Sequence, residues 1–189
     1  MCNSHDHGSL GISRRGFALA ALAGATAMAF APSAFAASEI DAFSVMCIDY
    51  RLVTRGVEFF DSHQGPGSGN YDLVALAGAS LAAASETMFL PTVPGFWQQL
   101  GAAYKLHKIK KVVVLDHMGC GAFAEAFNGG NPLPPDREHA LHIAMMTHLK
   151  QLMPERAPGV GAPVLPLEFW LFPDPNSKAL LPPERINIP

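Results

Sequence analysis

The sequence has little of what marks several common protein classes. Its 189 residues include 3 cysteines, too few for a disulfide-rich scaffold, and 15% of them are charged. Disordered chains combine low hydrophobicity with high net charge, whereas this chain is 49% hydrophobic with a formal net charge of −3. It has no basic excess of the kind that binds nucleic acid, so we expect no nucleic-acid partner. The length suits one folded domain.

The first 36 residues have the pattern of an export signal. Residues 13–17, Ser-Arg-Arg-Gly-Phe, resemble the twin-arginine export motif, and an Ala-rich apolar run follows over residues 18–31. Ala34 and Ala36 are small residues at the two positions that a signal peptidase reads. The run is too rich in alanine for a convincing permanent span, although an uncleaved anchor is the alternative. We therefore predict a cleaved signal and a periplasmic or secreted domain without a stable membrane span.

The remaining residues, 37–189, have the element order of a single α/β domain. Apolar runs of strand character alternate with segments whose apolar residues recur every three or four positions, as parallel βαβ crossovers require. The run over residues 112–115 is mostly valine, which is typical of a strand buried on both faces. We predict a mostly parallel sheet flanked by helices. The predicted strands cover residues 43–47, 71–76, 112–115 and 167–172, and the predicted helices cover residues 52–60, 96–107 and 136–153.

Two short motifs follow two of the predicted strands. Cys47, Asp49 and Arg51 come at the end of the first strand, and His117 and Cys120 follow the third. Open parallel sheets place ligands at the carboxyl ends of their strands, so neighbouring strands would bring the motifs together. Two thiolates and one imidazole suit Zn²⁺ and leave a fourth position for water, as in catalytic zinc sites. This spacing favours a zinc site.

The two cysteines allow a second interpretation, because an exported protein meets an oxidising compartment. Cys47 and Cys120 could form a disulfide or remain as inert thiols. Neither alternative accounts for His117. Asp49 and Arg51 alone would be an ordinary surface ion pair, and only their place beside Cys47 makes them candidates for catalysis.

The pattern Cys-x-Asp-x-Arg followed by His-x-x-Cys-Gly resembles the β-class carbonic anhydrases, and the likeness extends over residues 43–127. The resemblance implies a β-carbonic anhydrase-like fold in which the two cysteines and His117 bind Zn²⁺. It implies that Asp49 and Arg51 are the catalytic dyad, with Arg51 holding Asp49 ionised beside the metal. The implied reaction is reversible hydration of CO2 to bicarbonate by a zinc-bound hydroxide. The resemblance also implies a homodimer or a larger oligomer.

One stretch departs from the family's pattern. Family members commonly carry Arg-Asn-Ala-Gly-Asn after the second strand, whereas residues 75–79 here are Ala-Leu-Ala-Gly-Ala. Apolar side chains thus replace one positive charge and two amides. Two alternatives to CO2 hydration follow from the residues: hydrolysis of a related linear molecule such as COS or CS2, and a non-catalytic zinc-binding role.

The other histidines receive ordinary structural interpretations. His139, His142 and His148 lie on the last predicted helix and are expected to be solvated, with a second metal site that includes His139 and His142 as the alternative. His63 lies beside a Gly-rich turn and is expected to be exposed, with a proton shuttle as the alternative. His107 ends a predicted helix and complements its dipole.

Overall fold

A computed structural model of the chain describes residues 39–63, 69–85, 92–176 and 181–189. The predicted export signal over residues 1–36 lies outside these residues. The strands are β1 (Ala42–Cys47), β2 (Tyr71–Leu76), β3 (Lys111–His117), β4 (Leu167–Phe172) and β5 (Glu184–Ile186). The helices are α1 (Val53–His63), α2 (Ser80–Ala84), α3 (Thr92–His107), α4 (Gly121–Asn128) and α5 (Pro135–Arg156), with a 3₁₀ turn at Pro158–Val160.

These strands form one five-stranded sheet in the order β2-β1-β3-β4-β5. β1 pairs in parallel with both β2 and β3, β3 pairs in parallel with β4, and β5 is antiparallel to β4. Every residue of β1 is buried, and so are six of the seven residues of β3, as expected for central strands covered on both faces. The predicted α/β class and mostly parallel sheet are confirmed.

Helices cover both faces of the sheet. Successive residues of β3 belong to two different apolar clusters, because the side chains of a strand point alternately to opposite faces. One cluster joins the strands to α3 and the second half of α5, and the other joins them to α1 and α4. The buried residues that carry this packing are Phe96, Leu100, Met146 and Leu149 in the first cluster and Phe60, Leu115 and Phe123 in the second.

The last long helix starts earlier and ends later than predicted. α5 begins at Pro135 instead of Asp136, because the fixed φ of proline suits the first helical position. It continues past residue 153 through Pro154 to Arg156. Proline is tolerated there because it removes a single hydrogen bond close to the helix end. Within the described part of the chain, no helix is both long enough and apolar enough to span a membrane.

A close approach between α3 and the 3₁₀ turn predicts that replacing a glycine of α3 by alanine changes the stability differently at different positions. A Cβ placed on Gly101 would lie 2.4 Å from the backbone oxygen of Val160, whereas a Cβ on Gly95 in the same helix would meet nothing within 4 Å. We expect Gly101→Ala to lower the free energy of unfolding by about 1–3 kcal/mol, as overpacking does. Gly95→Ala should be neutral or raise it by up to about 1 kcal/mol, because alanine favours helix.

Urea denaturation of the two variants beside the wild type measures both effects. Equal stability of the two variants would contradict the close packing of α3 on Val160.

Candidate metal centre

The pairing of two central strands brings the predicted ligands to one edge of the sheet. β1 and β3 are parallel neighbours, and Met46 lies opposite Leu115. The next residue of β1 is Cys47, and β3 ends two residues later at His117. A turn at Gly119, with φ of 65°, then leads to Cys120, the residue that precedes α4. The sheet and the turn thus place two motifs that are about 70 residues apart at one site.

The three candidate ligands are buried and close together. The ligand atoms of Cys47, His117 and Cys120 all lie within 4.8 Å of one another. The two Sγ atoms are 3.9 Å apart. Two sulfurs each about 2.3 Å from a tetrahedral ion would be about 3.8 Å apart, whereas a disulfide needs about 2.05 Å. The separation of the sulfurs therefore fits a shared metal ion better than the disulfide alternative.

The orientation of His117 also fits a metal ion. Its Nδ1 lies 2.9 Å from the backbone oxygen of Met118. A carbonyl oxygen accepts only, so Nδ1 carries a proton, and in the neutral imidazole Nε2 then presents a lone pair. Among the described residues Nε2 has no hydrogen-bond partner, although it is buried. A buried polar atom left unsatisfied costs about 1–3 kcal/mol, which a bound metal would offset. The hydrogen bond from Nδ1 to the backbone oxygen of Met118 is of the kind that orients a metal-binding histidine through its other ring nitrogen.

The two thiols form a coupled pair. Either sulfur can be the donor at this distance, and the contact between the two groups lowers the pKa of Cys47 and raises the pKa of Cys120. The backbone N–H of Gly78, in the turn after β2, also donates to Cys47 Sγ at 3.3 Å. A cation bound by both sulfurs would take the place of the proton between them.

Asp49 and Arg51 form an ion pair beside the candidate ligands. The Nε of Arg51 donates to Asp49 Oδ1 at 2.9 Å, and its Nη2 donates to Oδ2 at 2.5 Å. Nη2 also donates to the backbone oxygen of Gly119 at 3.0 Å. These hydrogen bonds lower the pKa of Asp49 to about 2, against the effect of burial. Asp49 Oδ2 lies 3.8 Å from Nε2 of His117, so the pair adjoins the ligands.

A cleft of about 320 Å³ opens beside the two cysteines. Part of its wall is apolar, because it is lined by Ala77 and by Ala122 from α4. Ala77 belongs to residues 75–79, the stretch that differs from the family's pattern. Asp49, the acidic residue of the candidate dyad, also lines the cleft. A cleft of this size suits a small substrate. Its lining consists of Cys47, Ile48, Asp49, Ala77, Cys120, Gly121, Ala122 and Glu125.

One histidine prediction is wrong. His142 was expected to be solvated, but it is 0% exposed and its Nδ1 donates to Asp116 Oδ2 at 2.8 Å. Its Nε2 lies 3.9 Å from Oε1 of Glu138, an ion-pair separation. Sequence analysis also missed Glu138 and Asp116. For Glu138 the available signal was helical spacing, because Glu138, His142 and Met146 recur every four residues on the buried face of α5.

The other histidines have separate partners. His148 is exposed, as predicted, and His139 is half-buried. His63 is half-buried, with its Nε2 2.8 Å from Glu168 Oε2 and its ring stacked on Phe59. It does not line the cleft at the cysteines, so the proton-shuttle alternative gains no support. His107 pairs with Asp72 at 2.8 Å at the end of α3.

No protein-family model matches the chain. It is 28% identical over 123 residues to an uncharacterized protein of Rickettsia conorii, a match that covers 64% of this chain and 63% of that protein. An uncharacterized protein of Rickettsia bellii is 26% identical over 123 residues, covering 64% and 72% of the two chains. The chain thus spans less than two thirds of the Rickettsia conorii protein. Among solved structures, the β-carbonic anhydrase CafA of Aspergillus fumigatus superposes with a TM-score of 0.42 at 13% identity, over 92% of this chain and 88% of that chain.

The buried position of His142 predicts a stability that falls at alkaline pH. Burial alone would lower the pKa of His142, but the carboxylates of Asp116 and Glu138 outweigh it and raise the pKa from 6.5 to about 9. Below pH 6.5 the folded and unfolded states both hold the proton, and the stabilisation is complete. Between the two values only the folded state holds it, so the stabilisation declines as pH rises and is lost above the folded-state pKa.

We expect the difference in unfolding free energy between wild type and His142→Gln to shrink by about 2–3 kcal/mol between pH 6 and pH 10. Urea denaturation across this range measures it, and both proteins keep the same cysteines, so thiol titration largely cancels. His148→Gln, on the exposed side of the same helix, is the matched control. A pH-independent difference for His142→Gln would show that His142 is neutral in the folded state.

Proposed function

We propose that the protein is a zinc enzyme that reversibly hydrates CO2 to bicarbonate. The observation that carries this proposal is one arrangement of five side chains. Three buried candidate ligands converge within 4.8 Å, and an ionised carboxylate held by an arginine lies beside them. A purely structural metal site needs no such carboxylate, and it usually has four protein ligands instead of three.

The donor set supports zinc as the ion. Cys47 and Cys120 offer soft thiolates and His117 offers an imidazole nitrogen, a combination that favours Zn²⁺ over hard cations such as Mg²⁺ and Ca²⁺. Held by these three residues, zinc would supply a nucleophile at neutral pH by lowering the pKa of water to about 7.

Asp49 is suited to orient that nucleophile. Its Oδ1 accepts two hydrogen bonds from Arg51, one from the backbone N–H at 3.0 Å and one from Nε at 2.9 Å. Oδ2 accepts one from Nη2 and has capacity for another. With its pKa at about 2, Asp49 is an acceptor at every pH near neutrality. It can therefore fix the direction of an attacking O–H group and is not available as a proton donor.

Arg51 ties this carboxylate to the loop of the candidate ligands. Because Nη2 donates both to Asp49 and to the backbone oxygen of Gly119, the dyad and the residue before Cys120 are held together. Arginine suits this role better than lysine, since its planar guanidinium can form the paired hydrogen bonds at fixed geometry. The acceptor is thus preorganised, as electrostatic catalysis requires.

The lining of the cleft fits a small uncharged molecule. Ala77 and Ala122 present methyl groups where a polar pocket would present donors, and CO2 is linear and nonpolar overall. The same apolar wall favours a second candidate function, the hydrolysis of COS or CS2. Both reactions use the same nucleophile and the same orienting carboxylate, so they are separated by measuring which substrate turns over.

The first experiment measures metal content and CO2 hydration on one sample of purified protein. We expect one zinc per chain by elemental analysis and rapid hydration by stopped flow. Zinc without hydration, but with turnover of COS or CS2, would replace the first function by the second. Absence of zinc together with oxidised Cys47 and Cys120 would refute the metal site.

Replacement of Asp49 tests its role directly. Asp49→Asn keeps the size of the side chain but turns one acceptor oxygen into a donor group. We expect hydration to fall by about 10²–10⁴-fold, the usual contribution of a positioned proton acceptor, while the zinc content stays the same. Asp136→Asn, which removes an exposed carboxylate, is the matched control and should keep full activity. Equal rates for the two variants would exclude Asp49 from catalysis.

A further inference from the structure

A buried glutamate holds the backbone of the candidate metal loop. Glu138, in the first turn of α5, is 5% exposed. Its Oε2 accepts the backbone N–H of Gly119 at 3.0 Å, and its Oε1 accepts that of Cys120 at 2.8 Å. Both carboxylate oxygens are thus used on consecutive peptide groups, one of which belongs to a candidate ligand.

Glu138 contacts the two residues of the loop that directly precede α4. Cys120 is the residue at the start of α4, and it makes no capping hydrogen bond with its own side chain. Gly119 adopts a left-handed conformation with φ of 65°, so the two N–H groups lie outside regular secondary structure. Glu138, from a different helix, supplies acceptors for both N–H groups, so neither is left without a partner.

Glu138 is itself anchored by a chain of buried polar groups. One helical turn further along α5, His142 has its Nε2 3.9 Å from Glu138 Oε1, which is an ion-pair distance and not a hydrogen bond. Its Nδ1 donates to Oδ2 of Asp116, the buried residue that precedes His117. Asp116 also accepts the backbone N–H of Ser80 at 3.0 Å and the Ser80 hydroxyl.

The same chain reaches the other thiol. Ser80 begins α2, two residues after Gly78, whose N–H donates to Cys47 Sγ at 3.3 Å. The polar groups Ser80, Asp116, His142 and Glu138 therefore link the turn that contacts Cys47 with the loop that carries Cys120. His117, the third candidate ligand, directly follows Asp116 in the sequence.

A merely stabilising role explains these residues poorly. Burying charged groups is costly, and apolar side chains of similar volume are often at least as stabilising. A negative charge for the dipole of α5 is already supplied by exposed Asp136 in the same turn. What Glu138 alone provides is a rigid pair of acceptors on the peptide groups at Cys120.

We propose that Glu138, anchored through His142 and Asp116, is a positioning residue of the metal centre. It fixes the peptide groups of Gly119 and Cys120 so that the Cys120 sulfur stays within ligand distance of Cys47 and His117. This inference rests on the metal site of the proposed function but not on the substrate. Outer-shell partners of this kind typically contribute about 10–100-fold to metal affinity.

The test compares Glu138→Gln with Asp136→Asn in the purified protein. The first variant keeps the shape of the side chain but can accept only one of the two N–H groups well, and the second removes a charge from the same turn without touching the loop. Competition with a chromophoric chelator measures zinc affinity. We expect Glu138→Gln to bind zinc about 10–100-fold more weakly and Asp136→Asn to bind within about 2-fold of wild type.

Cobalt substitution supplies a readout of geometry. The absorption of the thiolate–Co²⁺ bonds should shift or weaken in Glu138→Gln and stay unchanged in Asp136→Asn. Wild-type zinc affinity together with an unchanged cobalt spectrum in Glu138→Gln would overturn the inference. Should Glu138→Gln fail to fold, Glu138→Asp keeps the charge but is one methylene too short to reach both N–H groups, and it should show the same defects.

A measurement without metal separates this inference from the proposed function. Amide hydrogen exchange of the metal-free protein reports whether the Cys120 N–H is protected. We expect that protection in wild type and Asp136→Asn and its loss in Glu138→Gln, whatever the protein catalyses. A wild type that binds no zinc would refute the proposed function, whereas equal exchange in all three proteins would refute the role of Glu138.

Discussion

The parallel pairing of β1 with β3 is the constraint on which the rest of this structure depends. The pair lies at the centre of the sheet, and its register places Met46 opposite Leu115. The same register fixes which side chains enter the two apolar clusters and where each strand ends. A slip of one residue would exchange the faces of every side chain on a strand and move Cys47 away from His117. Core packing and candidate chemistry are thus set by one alignment of backbone hydrogen bonds.

The candidate site contains two kinds of groups. Some are polar atoms without a full set of hydrogen-bond partners, and others are held in place by several hydrogen bonds. The Nε2 of His117 is buried without a hydrogen-bond partner among the described residues, and the two sulfurs lie 3.9 Å apart. Around them, Arg51 holds Asp49, and Glu138 holds the peptide of Cys120. The firm groups keep the loops in place, so the unsatisfied atoms remain directed at one another. Such a preformed arrangement lowers the cost of ordering ligands when an ion binds.

Sequence patterns predicted the main elements and the five-residue constellation, but not what supports it. The four parallel strands were found to within two residues, because continuous apolar runs are strong local signals. β5 has three residues and α2 has five, too short for periodicity to register. Helical spacing places Glu138 and His142 on one face of α5, but which face is buried is decided by the whole fold. Nothing near residue 138 indicates that its carboxylate meets a peptide 18 residues earlier. The spacing within each motif is short and can be recognised in the sequence. The hydrogen bond from Arg51 to Gly119 joins residues 68 positions apart, and only the structure reveals it.

Cys120 has two roles: it is a candidate metal ligand, and it is the residue that directly precedes α4. Its carbonyl oxygen accepts the hydrogen bond from Ala124 that opens the helix, while its sulfur faces Cys47. An ion held by that sulfur would restrain the first turn of α4 in the same way that a good capping residue does. Helix initiation and ion binding would then be thermodynamically linked, each favouring the other. Resistance to heat and to proteolysis near α4 would accordingly rise and fall with the supply of trace metal in the surroundings of the protein.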